Sequence, residues 1–152
     1  MTLGLKINGK IRQVQADLAD TLLTVLREQC QLTAAKRGCN QGVCGACTVM
    51  IDGRPQRACL SLAANCEDAD IVTLEGLRDD PALAQLQTAF AENGAVQCGF
   101  CTPGLLISAH WLLTRNPKPS TDQIRAGISG NLCRCTGYRK IVAAVAKAAQ
   151  AK

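Results

Sequence analysis

The sequence is poor in aromatic residues and lacks the signals of several protein classes. Phe, Trp and Tyr make up only 3% of its 152 residues, so the interior must be built from Leu, Ile, Val and Ala. There is no run of about 18 apolar residues, which argues against a membrane span. The first residues, Met-Thr-Leu-Gly-Leu-Lys, contain no basic segment followed by an apolar stretch. We therefore expect no secretory signal and a cytoplasmic protein.

Several catalytic and binding motifs are also missing. The carboxylates have no paired spacing typical of acid–base catalysis, and the glycines form no phosphate-binding loop. The formal net charge is +5, but no run of Lys and Arg with interleaved aromatics is present. Nucleic-acid binding is therefore not predicted.

Cysteine, by contrast, is abundant, and eight of the ten cysteines fall into two sets of four. In the first set, intervals of four, two and eleven residues separate Cys39, Cys44, Cys47 and Cys59. This is the plant-type spacing of four thiolates that hold a [2Fe–2S] cluster. Zinc sites usually use two close pairs of ligands, so zinc is the alternative and iron–sulfur is favoured. An anionic cluster would also offset part of the positive charge.

Two glycines lie between the cysteines of the loop that carries three members of this set. Glycine tolerates positive φ and allows the backbone to approach closely. We predict that Gly42 and Gly45 help to bind the cluster, at positions where backbone N–H groups point at sulfur and stabilise the anion.

The second set consists of two close pairs, with 31 residues between Cys101 and Cys133. Each pair precedes a predicted helix, and Thr102 and Pro103 suit the N-cap and first position of one of them. Helix N-termini carry partial positive charge and favour anions. Zinc with four thiolates and a [2Fe–2S] cluster fit this set equally well. Its members are Cys98, Cys101, Cys133 and Cys135.

The hydrophobic patterns predict an α+β protein of two domains. The first, residues 1–77, has strand signals, two hairpin turns and one helix, which fits a β-grasp ferredoxin-like domain. The second, residues 78–152, has four helical patterns, which fit a helical-bundle cluster domain. Its helices are expected around Leu83–Phe90, Leu105–Leu113, Ile124–Ile128 and Tyr138–Ala149. Strands are expected at 3–7, 10–16, 48–51, 54–60 and 71–74, and the first helix from Leu22 to about Gln31.

Three segments closely resemble the iron–sulfur subunit of xanthine oxidase-type molybdenum hydroxylases. They are Gly38–Val49 (GCNQGVCGACTV), Gln97–Gly104 (QCGFCTPG) and Gly130–Tyr138 (GNLCRCTGY). The resemblance covers nearly the whole chain in order and spacing. It implies a [2Fe–2S] cluster on the second set as well, and a β-grasp domain followed by a four-helix bundle.

The resemblance also implies a place in a larger enzyme. A large subunit would bind the molybdopterin cofactor, contacted by the side chain of Gln97, and hydroxylate a substrate with oxygen from water. Electrons would leave singly, first through the second set, which lies nearer molybdenum, and then through the first set, which lies nearer flavin. The chain ends at Lys152 without fused domains, so we expect a separate small subunit that pairs with a large subunit and a medium FAD subunit. Some relatives lack the flavin subunit and use haem proteins.

Two other interpretations remain open from the residues: a free-standing two-cluster ferredoxin, and a structural zinc protein that acts as an interaction module. Cys30 and Cys66 lie outside both sets and are predicted to be buried free thiols, on the first helix and near a strand. His110 is predicted to be a packing or surface residue. Arg134, between two ligands, is either a solvated side chain or one that tunes a cluster or faces a partner.

Overall fold

The computed structural model describes residues 1–151, which fold into a five-stranded sheet followed by four helices. This confirms the predicted α+β class. Short 3-10 turns at Ala63–Cys66 and Leu74–Leu77 connect the elements. The strands are β1 (Thr2–Ile7), β2 (Lys10–Gln15), β3 (Thr48–Ile51), β4 (Arg54–Arg57) and β5 (Asp70–Val72). The helices are α1 (Leu22–Glu28), α2 (Pro81–Glu92), α3 (Thr102–Arg115), α4 (Thr121–Ile128) and α5 (Arg139–Gln150).

The sheet has the order β2-β1-β5-β3-β4, in which β1 and β5 are parallel and the other neighbours antiparallel. Strand β1 alternates in burial, with Leu3, Leu5 and Ile7 facing inward, as expected for a strand with one covered face. The buried face of α1 belongs to the same apolar cluster. One helix held by a mixed sheet is the predicted β-grasp arrangement.

Both predicted hairpin turns are present. Asn8 and Gly9 have φ of 52° and 76°, and Asp52 and Gly53 have φ of 50° and 73°. Two successive residues with positive φ match the right-handed twist of the flanking strands, which explains the Asn-Gly and Asp-Gly pairs. The second turn brings β4 back along β3, toward the loop that contains Cys59.

The four helices of the second half form the predicted bundle around a separate apolar cluster. Two of their N-termini are capped by side chains: Asp80 accepts from the Ala82 N–H at 2.8 Å, and Ser120 forms a reciprocal capping box with Gln123. The buried apolar residues form one cluster within residues 3–71 and another within 83–149. Among residues 1–151, no helix has both the length and the apolar character needed to cross a membrane.

Several predicted boundaries are wrong. Helix α1 ends at Glu28 rather than near Gln31, whose φ of 58° is not helical. Cys30 therefore follows the helix instead of lying on it. Strand β4 ends at Arg57 because the chain then turns, with the Leu60 N–H bonded to the Arg57 carbonyl at 3.0 Å.

The start of α3 also differs from the prediction. Cys101, not Thr102, is the N-cap, because its carbonyl accepts the N–H of Leu105 at 3.1 Å. Thr102 and Pro103 are then the first two helical residues. A ligand candidate is thus part of the helix start itself, instead of preceding it by one residue.

Candidate metal centres

The first set of cysteines is gathered by the loop between α1 and β3 and by the turn after β4. Cys39 Sγ accepts hydrogen bonds from the backbone N–H groups of Gln41 and Cys44, each at 3.3 Å. Cys44 Sγ accepts one from Ala46 at 3.4 Å. These bonds stabilise thiolate and set the loop geometry before any metal is considered.

Gly42 and Gly45 shape this loop, while the amides aimed at sulfur belong to their neighbours. Both have positive φ, 75° and 76°, which most side chains avoid. A Cβ on Gly42 would lie 2.3 Å from Leu60 Cδ1, and one on Gly45 would lie 2.3 Å from the Gly130 oxygen. The second contact joins the cluster loop to the helical half.

The second set lies on two loops that precede helices α3 and α5. The Sγ atoms of Cys98 and Cys135 are 3.6 Å apart. Cys133 Sγ accepts from the hydroxyl of Thr136 at 3.1 Å, and the Cys133 N–H donates to the Tyr138 hydroxyl at 2.8 Å. The two segments, 31 residues apart in sequence, are therefore brought together as predicted.

Neighbouring thiols of each set act on one another, most closely Cys98 and Cys135, whose Sγ atoms are within hydrogen-bond distance. After burial and backbone amides, the thiols of Cys133, Cys44 and Cys59 also contribute to the pKa values of Cys101, Cys39 and Cys47, respectively. In residues 1–151 no three or more Cys, His, Asp or Glu side chains converge as one metal ion would need. In a two-iron centre each iron takes two protein thiolates, and the close contact of Cys98 with Cys135 is compatible with that arrangement.

The surroundings push the thiol pKa values apart. The amides of Cys44 and Gln41 lower the pKa of Cys39 to about 6. Burial raises the pKa of Cys47 to about 11, and burial with the neighbouring Cys133 raises that of Cys101 to about 12. Because a metal ligand must be deprotonated, the buried thiols release their protons only when a cation binds. Cys39 is poised to be a thiolate in its absence.

Cysteines of both sets line one open cavity of about 490 Å³. Phe100, Leu132 and Tyr138 complete part of its wall. The Leu132 N–H donates to the Cys44 carbonyl at 2.8 Å, so a single backbone hydrogen bond joins a residue of the first set to the neighbour of Cys133. The two candidate centres are thus adjacent and directly connected.

The other candidate residues are placed as follows. Gln97 is exposed, and its Nε2 donates to the carbonyl of Cys135 at 3.2 Å. Arg134 is exposed on the wall of the same cavity. His110 is buried and bonds Asp80 Oδ2 at 2.7 Å, which confirms a packing role. Cys30 is buried, and so is the other thiol outside the sets, Cys66.

Sequence reasoning missed the polar residues that join the two halves. Asn131 is buried, donates to the Gly45 carbonyl at 3.1 Å and to Thr48 Oγ1 at 3.2 Å, and accepts from Ser108 Oγ at 2.7 Å. The Tyr138 hydroxyl also donates to the Asn131 carbonyl at 3.2 Å. The sequence offered one indication of these contacts. Asn131 and Tyr138 lie within the third cysteine-containing motif but are not metal-ligand types, which suggests a structural role.

Comparison with known proteins decides the family. A model described as a 2Fe-2S iron-sulfur cluster binding domain matches residues 6–87, and a [2Fe-2S] binding domain matches residues 73–146. The small FeS subunit of nicotinate dehydrogenase from Eubacterium barkeri is 48% identical over 95% of this chain and 92% of that protein. The nicotine 6-hydroxylase small subunit of Paenarthrobacter nicotinovorans is 50% identical, over 92% and 84% respectively.

A solved structure agrees. Quinoline 2-oxidoreductase from Pseudomonas putida 86 superposes with a TM-score of 0.92 at 47% identity, over 99% of this chain and 94% of that one. The chain belongs to the iron–sulfur small subunits of molybdenum hydroxylases. As such a small subunit, it transfers electrons within a multi-subunit oxidoreductase and binds [2Fe–2S] clusters. Neither a mobile ferredoxin nor a zinc module describes it.

Proposed function

We propose that the small subunit binds one [2Fe–2S] cluster with each set of four cysteines. The support is the contact between the thiols of Cys98 and Cys135 in the second set and the amide N–H groups directed at Cys39 and Cys44 in the first. Each cluster, when bound, accepts and passes on single electrons. The role of the chain is to hold both centres close together. We place the domain division at residues 77 and 78, and Lys152, the last residue of the second domain, lies outside the described part.

The observation that carries electron transfer between the sets is the hydrogen bond from the Leu132 N–H to the Cys44 carbonyl. It connects the ligand loops without a side chain between them. We propose that the second set faces the molybdenum side and the first set faces the electron acceptor. Gln97, exposed beside Cys135, is then the residue that contacts the molybdopterin.

We further propose the partners and the compartment. A large subunit binds the molybdopterin and the substrate, and a medium subunit binds FAD and receives the electrons. Relatives of similar identity serve enzymes named for nicotinate and for nicotine, so the substrate is chosen by the partner that binds it. Eight cysteines kept for metal ligation favour a reducing compartment, the cytoplasm.

The direct test is iron and acid-labile sulfide analysis of the native preparation, with EPR after reduction by dithionite. The proposal expects about four irons and four sulfides per chain and two distinct S = ½ signals. Stoichiometric zinc without an EPR signal in either set would contradict it.

A second test addresses Gln97 and uses Gln97→Ala in the assembled enzyme. Both clusters should still assemble, because Gln97 is exposed and bonds only the Cys135 carbonyl among the described contacts. Electron arrival at the second-set cluster, followed by stopped flow after substrate addition, should slow. Gln87→Ala, at an exposed glutamine on α2 outside both cysteine sets, is the control. An unchanged rate for Gln97→Ala would remove its proposed role.

A further inference from the structure

A second cavity, of about 450 Å³, has none of the cysteines in its lining and lies between β4, α3 and the end of α4. Three arginines line it: Arg54 and Arg57 from β4 and Arg115 from α3. Among residues 1–151, no carboxylate lines the cavity. None of these three arginines forms an ion pair within residues 1–151. Three uncompensated positive charges facing one space create a strong local preference for an anion. We refer to it as the arginine cavity.

The surrounding structure holds two of these side chains in place. Arg57 donates to Thr48 Oγ1 at 2.9 Å and to the Gly130 carbonyl, while its buried Nε has no hydrogen-bond partner. The Arg115 guanidinium carbon lies 5.0 Å from the centre of the Trp111 ring. The indole N–H of Trp111 donates to the carbonyl of Gly53 at 3.0 Å. The guanidinium groups are thus presented from a rigid support, which reduces the entropy lost on binding.

We propose that the arginine cavity receives a carboxylate side chain from an acidic segment of a partner subunit. This inference rests on the proposed function, because it requires a multi-subunit enzyme. Arginine binds carboxylate with two parallel hydrogen bonds, and arginine and tryptophan are enriched at the energetic centres of interfaces.

A partner carboxylate suits this cavity better than a small free anion. Arg54 and Arg115 are exposed, so solvent and salt would screen their attraction for a dissolved ion. A docked subunit excludes that water and strengthens each contact. The two exposed arginines then attract the acidic segment and select for it, and Arg57 lies at the base of the cavity.

The test is charge reversal at the two exposed arginines, Arg54→Glu with Arg115→Glu. Arg57 is left intact because it bridges Thr48 and Gly130. The cluster-loaded variant is titrated against the remaining subunits of its own enzyme at several salt concentrations. The matched control reverses two exposed cations outside the cavity, Lys10→Glu with Arg78→Glu. Arg54→Lys with Arg115→Lys keeps the charge and removes the bidentate geometry.

The dissociation constant of the partner should rise at least about tenfold for the glutamate variant and much less for the lysine variant. Wild-type binding should weaken with salt more steeply than that of the glutamate variant. Iron content and EPR signals should be those of wild type, which shows that the variant is folded. Equal affinity of the glutamate variant and the control would overturn the proposal.

Two other outcomes are distinguishable. Inorganic phosphate binding to the isolated chain that is lost in the glutamate variant, with partner affinity unchanged, would make the cavity a small-anion site and refute the docking role. A wild-type chain that is loaded with clusters but binds no partner subunit would contradict the proposed function itself, and the docking proposal with it.

Discussion

Gly45 occupies a position where the absence of a side chain decides the packing of two segments. Its φ of 76° is unfavourable for residues with a Cβ, and a Cβ there would lie 2.3 Å from the Gly130 oxygen. Gly53 has nearly the same φ, 73°, but a Cβ there would meet no atom within 4 Å. Substitutions at the two glycines can therefore separate the free-energy cost of backbone strain from that of steric overlap.

Gly45→Ala should lower the free energy of unfolding by about 2–5 kcal/mol, since strained backbone and overpacking add. Gly53→Ala should cost only about 1–2 kcal/mol, from backbone strain alone. Urea unfolding followed by circular dichroism measures both. Equal losses in the two variants would show that the approach to Gly130 relaxes without cost.

Cys44 is the residue at which the two candidate centres meet, since its thiol belongs to the first set and its carbonyl accepts the Leu132 N–H. Cys44→Ser keeps that carbonyl and removes one thiolate. We expect iron to fall from about four to about two per chain, with one EPR signal lost. In the assembled enzyme substrate should still reduce molybdenum, but flavin reduction should stop.

Cys66→Ser is the matched control for this change. Cys66 is buried, lies outside both sets, and its thiol donates to the Leu62 carbonyl, a bond that serine can keep. This variant should retain full iron and both signals. Unimpaired turnover of Cys44→Ser would contradict both its ligand role and the proposed order of the centres.

At the scale of elements, sequence patterns predicted the presence of helices and strands more accurately than the residues at which they begin and end. The periodicity of Leu83, Leu86 and Phe90 identified α2, and the Asn-Gly and Asp-Gly pairs identified both hairpin turns. The ends of the elements were predicted less well. Helix α3 begins one residue early because the Cys101 carbonyl finds Leu105, and propensity for capping favoured Thr102 instead.

Helix α2 depends on an N-cap that carries two bonds. Asp80 accepts from the Ala82 N–H at 2.8 Å and bonds the ring of His110 in α3 at 2.7 Å. Partial burial tends to raise the pKa of Asp80, but the Ala82 amide and His110 outweigh it and lower that pKa. A lowered folded-state pKa means that the ionised form stabilises the fold above the ordinary pKa of about 3.9. That stability is lost as pH falls through the lowered value.

Asp80→Ala should therefore cost about 1–2 kcal/mol of unfolding free energy, because a cap and an interhelical bond are both removed. The difference from wild type should shrink as the pH falls below about 4, where Asp80 takes up a proton and the stabilisation that its ionised form provides is lost. Asp79→Ala, which changes an exposed neighbour, serves as the control and should lie within about 0.5 kcal/mol of wild type. A difference that does not shrink below about pH 4 would show that the ionised Asp80 carboxylate is not the source of the effect.

Across the whole molecule, two apolar cores are joined by a buried polar seam, and this is the part that sequence patterns did not predict. Asn131 lies 86 positions from Gly45 and 83 from Thr48, yet its amide bonds both. Periodicity reports on contacts within an element, and no local pattern encodes a contact across that separation. The ligand sets were predictable because metal chemistry imposes spacing on the sequence, whereas the seam imposes none.

Asn131→Ala tests whether this seam holds the two halves in register. It leaves the buried Ser108 hydroxyl without its partner. The Gly45 carbonyl and the Thr48 hydroxyl each lose one bond, but they keep their bond to one another, and Thr48 keeps its bond from Arg57. We therefore expect a loss of about 1–3 kcal/mol. Hydrogen exchange, read by mass spectrometry on peptides that contain Leu132, should quicken more than in either core, because the Leu132 bond to the Cys44 carbonyl then opens locally. Asn65→Ala, at an exposed asparagine, should change neither quantity. Exchange at Leu132 that rises only in proportion to global stability would show that the halves are held by their apolar contacts and not by this seam.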